Sequence, residues 1–311
     1  MKLWEKNQAP HEKIDHFTVG KDRIYDLHLA AYDCKASIAH AQMLGQIGVL
    51  TLEEVDQLIT VLEGLKSDAE KGDFVIEDEF EDMHSKIEYV LTEKLGDLGK
   101  KIHTARSRND QILAALHLYL KEEIKTLKGL THEFFKLLMD LAEQHKDKLL
   151  PGYTHFQVAM PSSFGLWFSA YAESLIDDVT LLNAAHKIVD QNPLGSAAGY
   201  GSSFPIDRKA TTYQLEFTDL KYNVIAAQMS RGKAEKTSAT AMAGIASTLS
   251  KLAMDICLYM GQEHNFITFP DALTTGSSIM PHKKNPDVFE LIRGKCNLLQ
   301  GLPNQLSLIH I

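Results

Sequence analysis

The feature that most constrains this chain is a long apolar repeat in its middle third. Apolar side chains recur there at intervals of three, four or seven residues, at Ile112, Leu116, Leu120, Ile124, Leu127, Phe134, Leu138 and Leu141. This is the period of one helical face, and it continues towards Pro151, so it predicts a helix of about forty residues. Helices in globular proteins average about a dozen residues. A helix of this length needs neighbours along its whole side, which indicates a bundle.

Other segments also have the helical period. Thr51 and Glu54 have the spacing of a capping box, in which the hydroxyl and the carboxylate accept hydrogen bonds from first-turn amides. Further helices are predicted over residues 22–50, from 83 to Gly96 or Gly99, and over 162–189, 206–217, 239–260 and from 287 onward. Strand-like alternation is scarce, so the expected fold class is all-α. We expect a smaller helical domain over residues 1–105 and a central long-helix bundle over residues 106–311.

The composition excludes several classes of partner. The 311 residues are 44% hydrophobic and carry a formal net charge of -9, without the clustered Lys and Arg of a nucleic-acid surface. The cysteines Cys34, Cys257 and Cys296 lie far apart and lack metal-ligand spacing, which favours reduced thiols. The N-terminus has no signal-peptide core, and no segment approaches the roughly 20 apolar residues of a membrane span. We therefore expect a cytoplasmic protein with small-molecule partners and no membrane or metal.

A loop over residues 275–287 has the composition of an anion-binding site. It reads T-G-S-S-I-M-P-H-K-K-N-P-D. Its glycine and serines supply backbone amides in a turn-forming context, and Lys283 and Asn285 add positive charge and an amide donor. The same residue types also occur in flexible surface loops. Ile279 and Met280 are apolar residues that such a loop does not need in water, so something should close over them.

Two further polar blocks flank the long repeat. The block K-I-H-T-A-R-S-R-N-D-Q precedes it at residues 101–111, and G-Y-T-H-F-Q follows it at residues 152–157 as a turn between two long helices. Ser107 or Asn109 can serve as the N-cap of the long helix. Arg108 can be an ordinary surface charge or, together with free amides, a ligand for a carboxylate.

Two histidines have both a structural and a chemical interpretation. From residue type alone, His84 at a helix start is usually a solvated residue, and His155 in a turn is more often structural. A histidine paired with a carboxylate is also a natural acid, which makes His155 with Glu290 a candidate pair. Removing a proton next to a carboxylate creates a doubly charged aci-carboxylate, and Lys283, Asn285 and the loop amides suit that charge.

The order of the residues favours the chemical interpretation. G-S-S-x-M-P-x-K-x-N-P, from Gly276 to Pro286, resembles the signature of the fumarase, aspartase and argininosuccinate lyase superfamily. The blocks at residues 103–111, 152–157 and 276–287 occur in the order found in argininosuccinate lyases. Of these, T-A-R-S-R-N-D-Q distinguishes that family from fumarase, aspartase and adenylosuccinate lyase. The resemblance implies a fumarase/aspartase-type bundle and a cleavage of argininosuccinate to arginine and fumarate without a metal or organic cofactor.

The resemblance also implies roles by position. Ser277 would be the base that takes the proton, and His155 with Glu290 would form the acid side, although acid and base have been assigned both ways in this family. Lys283 and Asn285 would hold the aci-carboxylate. The substrate-binding residues would be Ser107, Arg108, Asn109, Thr154 and, in the place of a family active-site histidine, His84.

Family members are homotetramers with active sites assembled from three subunits, and the resemblance implies the same here. The chain ends at Ile311 inside an expected bundle helix, so we expect a truncated sequence without a C-terminal domain. Residues 230–233 read S-R-G-K, and Val158 stands where a basic residue is common, which affects peripheral substrate contacts. Two alternatives stay open: another fumarate-releasing lyase such as adenylosuccinate lyase, and a non-catalytic, crystallin-like structural oligomer.

Overall fold

A computed structural model describes residues 12–306 of the chain. Residues 1–11 and 307–311, on which the expectations about a signal peptide and a truncated end fall, lie outside the described residues. The helices are α1 (Glu12–Val19), α2 (Asp22–Tyr25), α3 (Ala30–Gln46), α4 (Leu52–Lys71), α5 (Met83–Leu95), α6 (Asp97–Lys101), α7 (Arg108–Gln144), α8 (Phe164–Val189), α9 (Arg208–Gln214), α10 (Val224–Gln228), α11 (Lys233–Met260) and α12 (Asp287–Leu306). Single 3-10 turns lie at Asp26–His28 and Asp271–Leu273.

Strands are few and short. The antiparallel pair is β1 (Leu149–Thr154) and β2 (Gln157–Ser163), and the parallel pair is β3 (Gln191–Asn192) and β4 (Asp219–Leu220). The fold is therefore all-α, which confirms the predicted class. The segment after Pro151 corrects the prediction in one respect. It is the end of a β-hairpin and not a plain turn between two helices.

The long central helix and the capping box of α4 are both confirmed. Helix α7 has 37 residues. At α4, the amide of Glu54 donates to the Thr51 hydroxyl at 3.2 Å, and the Thr51 amide donates to the Glu54 carboxylate at 2.9 Å. Gly72 ends α4 with a left-handed φ of 82°, which a residue without a Cβ adopts at low cost. The predicted helix over residues 22–50 is instead broken, because the 3-10 turn Asp26–His28 separates α2 from α3.

The described chain divides into two compact units. One unit, the N-terminal unit, contains the residues up to Glu122 together with Ile188–Arg231, and the other, the bundle unit, contains Glu123–Lys187 and the residues from Gly232 onward. This division differs from the boundary expected near residue 105. Its reason is visible in the packing, since Ala36 and Ala39 of α3 and Leu118 of α7 share one buried cluster with Leu194 and Phe217.

The main core of the N-terminal unit lies between α3, α4 and α5. Its fully buried side chains share an apolar character and helical spacing: Met43, Leu44, Leu58, Leu62, Phe80, Met83, Ile87 and Leu91. Leu58, Leu62 and Leu65 recur at helical spacing and form the buried face of α4. Leu52, at the first position of α4, lies on the other side and is 81% exposed.

The bundle unit contains long helices packed side by side. Leu138 of α7, Leu175 of α8 and Leu252 of α11 belong to one buried cluster, and Phe289 of α12 packs against it. Helix α11 also packs along α12. The side chains Val288 and Leu299, which were expected to face inward on α12, are each 44% exposed in this single chain.

Helix α11 corrects one expectation from the sequence. It is the one helix in the described part of the chain that is long and apolar enough to fit a membrane span, with a mean hydropathy of 1.3 over its most apolar window. Part of this composition belongs to the core, because Leu252, Ala253 and Ile256 are buried in the bundle unit. A core helix of a helical bundle meets the same length and hydropathy criteria as a membrane span.

Leu58, on the buried face of α4, and Leu52, on its exposed side, provide a test of this core. Leu58→Ala is expected to lower the free energy of unfolding by about 2 to 5 kcal/mol, because it leaves a cavity between α3, α4 and α5. Leu52→Ala, the matched change on the exposed side of the same helix, is expected to change it by less than about 0.5 kcal/mol. Urea denaturation followed by circular dichroism measures both values. Equal losses for the two variants would contradict the packing described here.

Candidate active site

The loop that carries the signature residues is closed at its base by backbone hydrogen bonds. The Asn285 amide donates to the Thr275 carbonyl at 2.8 Å, and the Thr275 amide donates to the Asn285 carbonyl at 3.3 Å. The Thr275 hydroxyl also contacts the Asp287 carboxylate at the start of α12. The two ends of the loop are therefore held together, directly in front of a helix N-terminus.

Ser277 lies just inside this base and is half-buried. Its hydroxyl oxygen accepts hydrogen bonds from the amides of Ile279 and Met280, each at 3.3 Å. Backbone donors aimed at an oxygen stabilise negative charge that develops on it. This arrangement therefore suits a serine that loses its proton during a reaction.

The two lysines of the loop have different surroundings. Lys284 forms an ion pair with Asp271. Within residues 12–306, no carboxylate pairs with the exposed Lys283, whose amide donates to the Met280 carbonyl at 3.0 Å. Asn285 is half-buried, and its side chain reaches the Thr275 hydroxyl at 3.4 Å. Lys283 is thus the lysine whose charge is available to an anion.

His155 and Phe156 form the two-residue connection between β1 and β2. Both have positive φ angles, 52° and 60°, which is the combination that a type I′ turn requires. Gly and Asn usually occupy such positions, because a left-handed conformation costs other residues roughly 1–2 kcal/mol each. A histidine and a phenylalanine at these positions are therefore held in a strained backbone conformation. Thr154, at the end of β1, and His155 are both exposed.

Glu290 lies in the first turn of α12 and is exposed. The described part of the bundle unit contains no hydrogen bond or ion pair between Glu290 and His155. The structure of one chain thus presents the two members of the predicted acid pair separately, each with its polar atoms open to solvent.

The polar block before α7 is anchored to the N-terminus of α5. The Arg108 guanidinium donates to the Asp82 carboxylate at 2.7 Å and to the Ser85 hydroxyl at 2.9 Å. Asp82 is itself the N-cap of α5, since it accepts the Ser85 amide at 2.8 Å. Arg108 is therefore held by protein groups on two of its nitrogens. Ser107 is half-buried beside it, and Asn109 is exposed.

His84 is buried, which differs from the solvated surroundings that are usual for a histidine at a helix start. It is only 2% exposed, and its Nδ1 lies 3.2 Å from an Asp33 carboxylate oxygen, close enough for an ion pair although not aligned as a hydrogen bond. The other Asp33 oxygen accepts from the Gln111 side chain at 3.1 Å. His84 is thus covered by protein in this chain. Asn109, two residues before Gln111 of the same cluster, is exposed.

The pKa values of this pair are shifted towards the charged forms. Burial, the largest single effect, lowers the pKa of His84, but the contact with Asp33 and the charges of Asp82 and Asp26 together outweigh it and raise the pKa above the ordinary value of 6.5. Burial alone would raise the pKa of Asp33, but the charges of His84 and Arg106 and the bond from Gln111 lower it below 3.8. Each partner therefore keeps its charged form over a wider range of pH than it does alone.

The structure places the predicted site residues in two groups. His84, Ser107, Arg108 and Asn109 belong to the N-terminal unit, and Thr154, His155, Ser277, Lys283, Asn285 and Glu290 belong to the bundle unit. Sequence reading missed Asp33 and Asp82, the partners of His84 and Arg108. Asp82 could have been found from its position three residues before Ser85, which is N-cap spacing. Asp33 gives no such signal, because it lies far from His84 in the chain.

Comparison with known proteins extends these observations. A lyase family model matches residues 15–301. The chain is 59% identical over 308 residues to argininosuccinate lyase of Parabacteroides distasonis, and the match covers 99% of this chain and 69% of that protein. It is 47% identical to argininosuccinate lyase of Xanthomonas campestris pv. campestris, where the match covers 94% of this chain and 68% of that protein.

Solved structures agree with the fold. An EDDS lyase variant with bound fumarate superposes with a TM-score of 0.83 at 24% identity, over 98% of this chain and 61% of that one. A delta crystallin from Brucella melitensis superposes with a TM-score of 0.77 at 19% identity, over 91% of this chain and 67% of that one. The fold and the family match define a carbon–nitrogen lyase. The chain belongs to the argininosuccinate lyase family.

The Asp33–His84 pair gives a pH-dependent test. Asp33→Asn is expected to lower the free energy of unfolding by on the order of 3 kcal/mol, because it leaves a buried imidazole without its counter-charge. Because the pKa of His84 is raised, its contribution to the free energy of unfolding is fully present below pH 6.5. That contribution is lost as pH rises through the pKa that His84 has in the folded protein. Because the pKa of Asp33 is lowered, its contribution to the free energy of unfolding is fully present above pH 3.8. That contribution is lost as pH falls through the pKa that Asp33 has in the folded protein.

The loss is therefore expected to be largest between pH 3.8 and pH 6.5 and smaller on either side. Urea denaturation at a series of pH values measures it, and the exposed change Asp73→Asn serves as the control. A loss that is the same at every pH would show that the pair is not ionic.

Proposed function

We propose that this chain cleaves argininosuccinate to L-arginine and fumarate in arginine biosynthesis. The proposal is supported by relatives named argininosuccinate lyase that are 54% to 59% identical over 99% of the chain. The observation that carries it is the Ser277 hydroxyl, which faces two backbone amides inside a loop that also presents the unpaired charge of Lys283.

The reaction removes a proton from carbon next to a carboxylate and then breaks a carbon–nitrogen bond. Ser277, as its alkoxide, takes the proton and becomes a neutral hydroxyl. The amides of Ile279 and Met280 stabilise the alkoxide form, which lowers the cost of removing the serine proton beforehand. Lys283 and Asn285 then hold the aci-carboxylate, whose second negative charge appears only in this intermediate, so their contribution is specific to the difficult step.

The departing guanidino nitrogen needs a proton when the carbon–nitrogen bond breaks. His155 donates that proton, and Glu290 orients the ring and supports its imidazolium form. The exposed type I′ turn suits this role, because it presents the imidazole beyond the end of β1 instead of packing it against the hairpin. Thr154, the last residue of β1, lies beside it as a hydroxyl for the substrate.

Substrate binding in the N-terminal unit centres on the start of α7. Asn109 is exposed there and offers an amide to a substrate carboxylate or amine. Arg108 is held by Asp82 and Ser85, so it contributes a fixed charge and not a flexible arm. Ser107 precedes it in the chain, and His84, whose charge is balanced by Asp33, acts through its position at the start of α5 and not through a net positive charge.

We further propose that the active protein is a cytoplasmic homotetramer in which each active site combines residues of different subunits. The separation of His155 from Glu290 within one chain supports this, because partner subunits can bring the pair together. So does the surface of the bundle unit. An apolar groove of about 680 Å³ runs between its helices, and large apolar side chains are exposed along them: Leu130, Leu137, Leu166, Ile176, Leu291 and Leu298. Apolar surface of this extent is typical of a protein interface.

The other lyase is not favoured. An adenylosuccinate lyase would need a purine pocket, whereas the T-A-R-S-R-N-D-Q block and the relatives both correspond to argininosuccinate lyase. A crystallin-like structural role would not require Ser277, Lys283 and two amide donors to converge in one loop.

Fumarate release tests the reaction. The 311-residue chain is expected to release fumarate from argininosuccinate and not from adenylosuccinate, measured by ultraviolet absorbance. Ser277→Ala is expected to lower kcat by about 10² to 10⁴, the usual contribution of a positioned base. Ser278→Ala, a matched change at the exposed neighbouring residue, is expected to retain activity. A folded, tetrameric wild type without fumarate release, or an active Ser277→Ala variant, would contradict the proposal.

Sedimentation velocity tests the assembly. The wild type is expected to sediment as a tetramer. Leu298→Glu places a charge on the exposed apolar surface of α12 and is expected to shift the population to smaller species, because burying an unpaired carboxylate in an interface is costly. Leu52→Glu makes the same change at an exposed leucine of α4 and is expected to leave the tetramer intact. A monomeric wild type would refute the assembly proposal.

A further inference from the structure

Asp110, in the first turn of α7, is a buried carboxylate that accepts three backbone hydrogen bonds. It is 0% exposed. One carboxylate oxygen accepts the Ser107 amide at 2.9 Å, and the other accepts the amides of Gly195 and Ala197, both at 2.9 Å. The first bond closes the turn that begins α7. The other two reach a segment that is distant in sequence, so this one side chain joins two parts of the N-terminal unit.

The segment that Asp110 holds, residues 193–201, has an unusual backbone. Its φ angles are left-handed at Gly195 (85°), Ala197 (50°), Gly199 (110°) and Gly201 (77°). Glycine tolerates such angles, but it also leaves the backbone free to move, and Ala197 is strained there. A segment of this kind keeps one conformation only if other groups fix it.

Other side chains hold the same segment through different atoms. The Gln228 side chain donates to the Ser196 hydroxyl at 2.9 Å and to the Ala197 carbonyl at 3.1 Å. The Arg208 side chain donates to the Leu194 carbonyl at 2.9 Å. Asp110 therefore accepts hydrogen bonds from the amides of the segment, whereas Gln228 and Arg208 donate hydrogen bonds to its oxygens. Among the hydrogen bonds of residues 12–306, those of Asp110 join the segment to the start of α7.

We propose that Asp110 is a positioning residue for the substrate site. By binding the Ser107 amide and the amides of Gly195 and Ala197 together, it fixes the turn Ser107–Asn109 relative to the segment 193–201. The inference rests on the proposed function in one respect, namely that the turn Ser107–Asn109 binds the substrate. A carboxylate is suited to this place, since it accepts from several donors at once and its charge lies at the positive end of a long helix.

The test is Asp110→Asn in the full 311-residue chain. The variant keeps the size of the side chain, but its new NH2 group must face an amide donor in either orientation of the side chain. We expect KM for argininosuccinate to rise about tenfold or more, as the loss of hydrogen bonds to a charged group implies, with a smaller change in kcat. Hydrogen–deuterium exchange is expected to accelerate in peptides covering residues 103–112 and 193–201 together. Asp97→Asn, a matched change in the exposed first turn of α6, is the control for both measurements.

A second variant, Gln228→Ala, loosens the segment 193–201 without touching α7. It is expected to accelerate exchange in that segment and to raise KM in the same direction, and it replaces Asp110→Asn if that variant does not fold. Unchanged exchange at residues 193–201 in Asp110→Asn would overturn the proposed connection. Faster exchange with an unchanged KM would overturn the positioning role and leave a purely stabilising one. A wild type that releases no fumarate contradicts the proposed function, while the exchange measurement still decides whether Asp110 joins the two segments.

Discussion

The N-terminal unit depends on the polar side chains at the start of α7, each of which binds a different part of the unit. Arg106 donates to Ser37 of α3 at 2.8 Å, and Gln111 donates to Asp33 of the same helix. Arg108 reaches the N-terminus of α5. Such buried polar groups stabilise one arrangement strongly when all partners are present, because each unpaired member would be costly. A stretch that looks like a solvated helix start therefore organises the interior of the unit.

The sequence predicted those features that depend on local periodicity. The stripe from Ile112 to Leu141 and the capping box of α4 both depend on residues a few positions apart, and both were found as predicted. Ser107 was one of two predicted N-caps of α7, and its amide donates to Asp110, three residues later, at 2.9 Å. The bonds from Gly195 and Ala197 to Asp110 could not be predicted, because nothing local shows which distant amides a carboxylate will meet.

Features that depend on distant partners escaped prediction for the same reason. His84 was expected to be either a surface residue or an active-site residue, and its burial depends on Asp33, which lies on another helix. The hairpin around His155 lacks the Asn-Gly type of turn that usually identifies one, so β1 and β2 were not foreseen. Among the proposed catalytic residues, Ser277, Lys283 and Asn285 were placed in one loop by the sequence alone. Their relation to His155 and Glu290 does not follow from local sequence.

The backbone bridge between Thr275 and Asn285 has a consequence for how the signature loop meets its ligand. Joining the ends of a flexible segment costs conformational entropy, and here the fold has already met that cost before any ligand arrives. The bridge fixes both ends of the residues between its partners, directly in front of the start of α12. For a loop that binds the substrate as proposed above, less of the binding energy is then consumed in ordering the loop, and more remains for discrimination between ground state and intermediate.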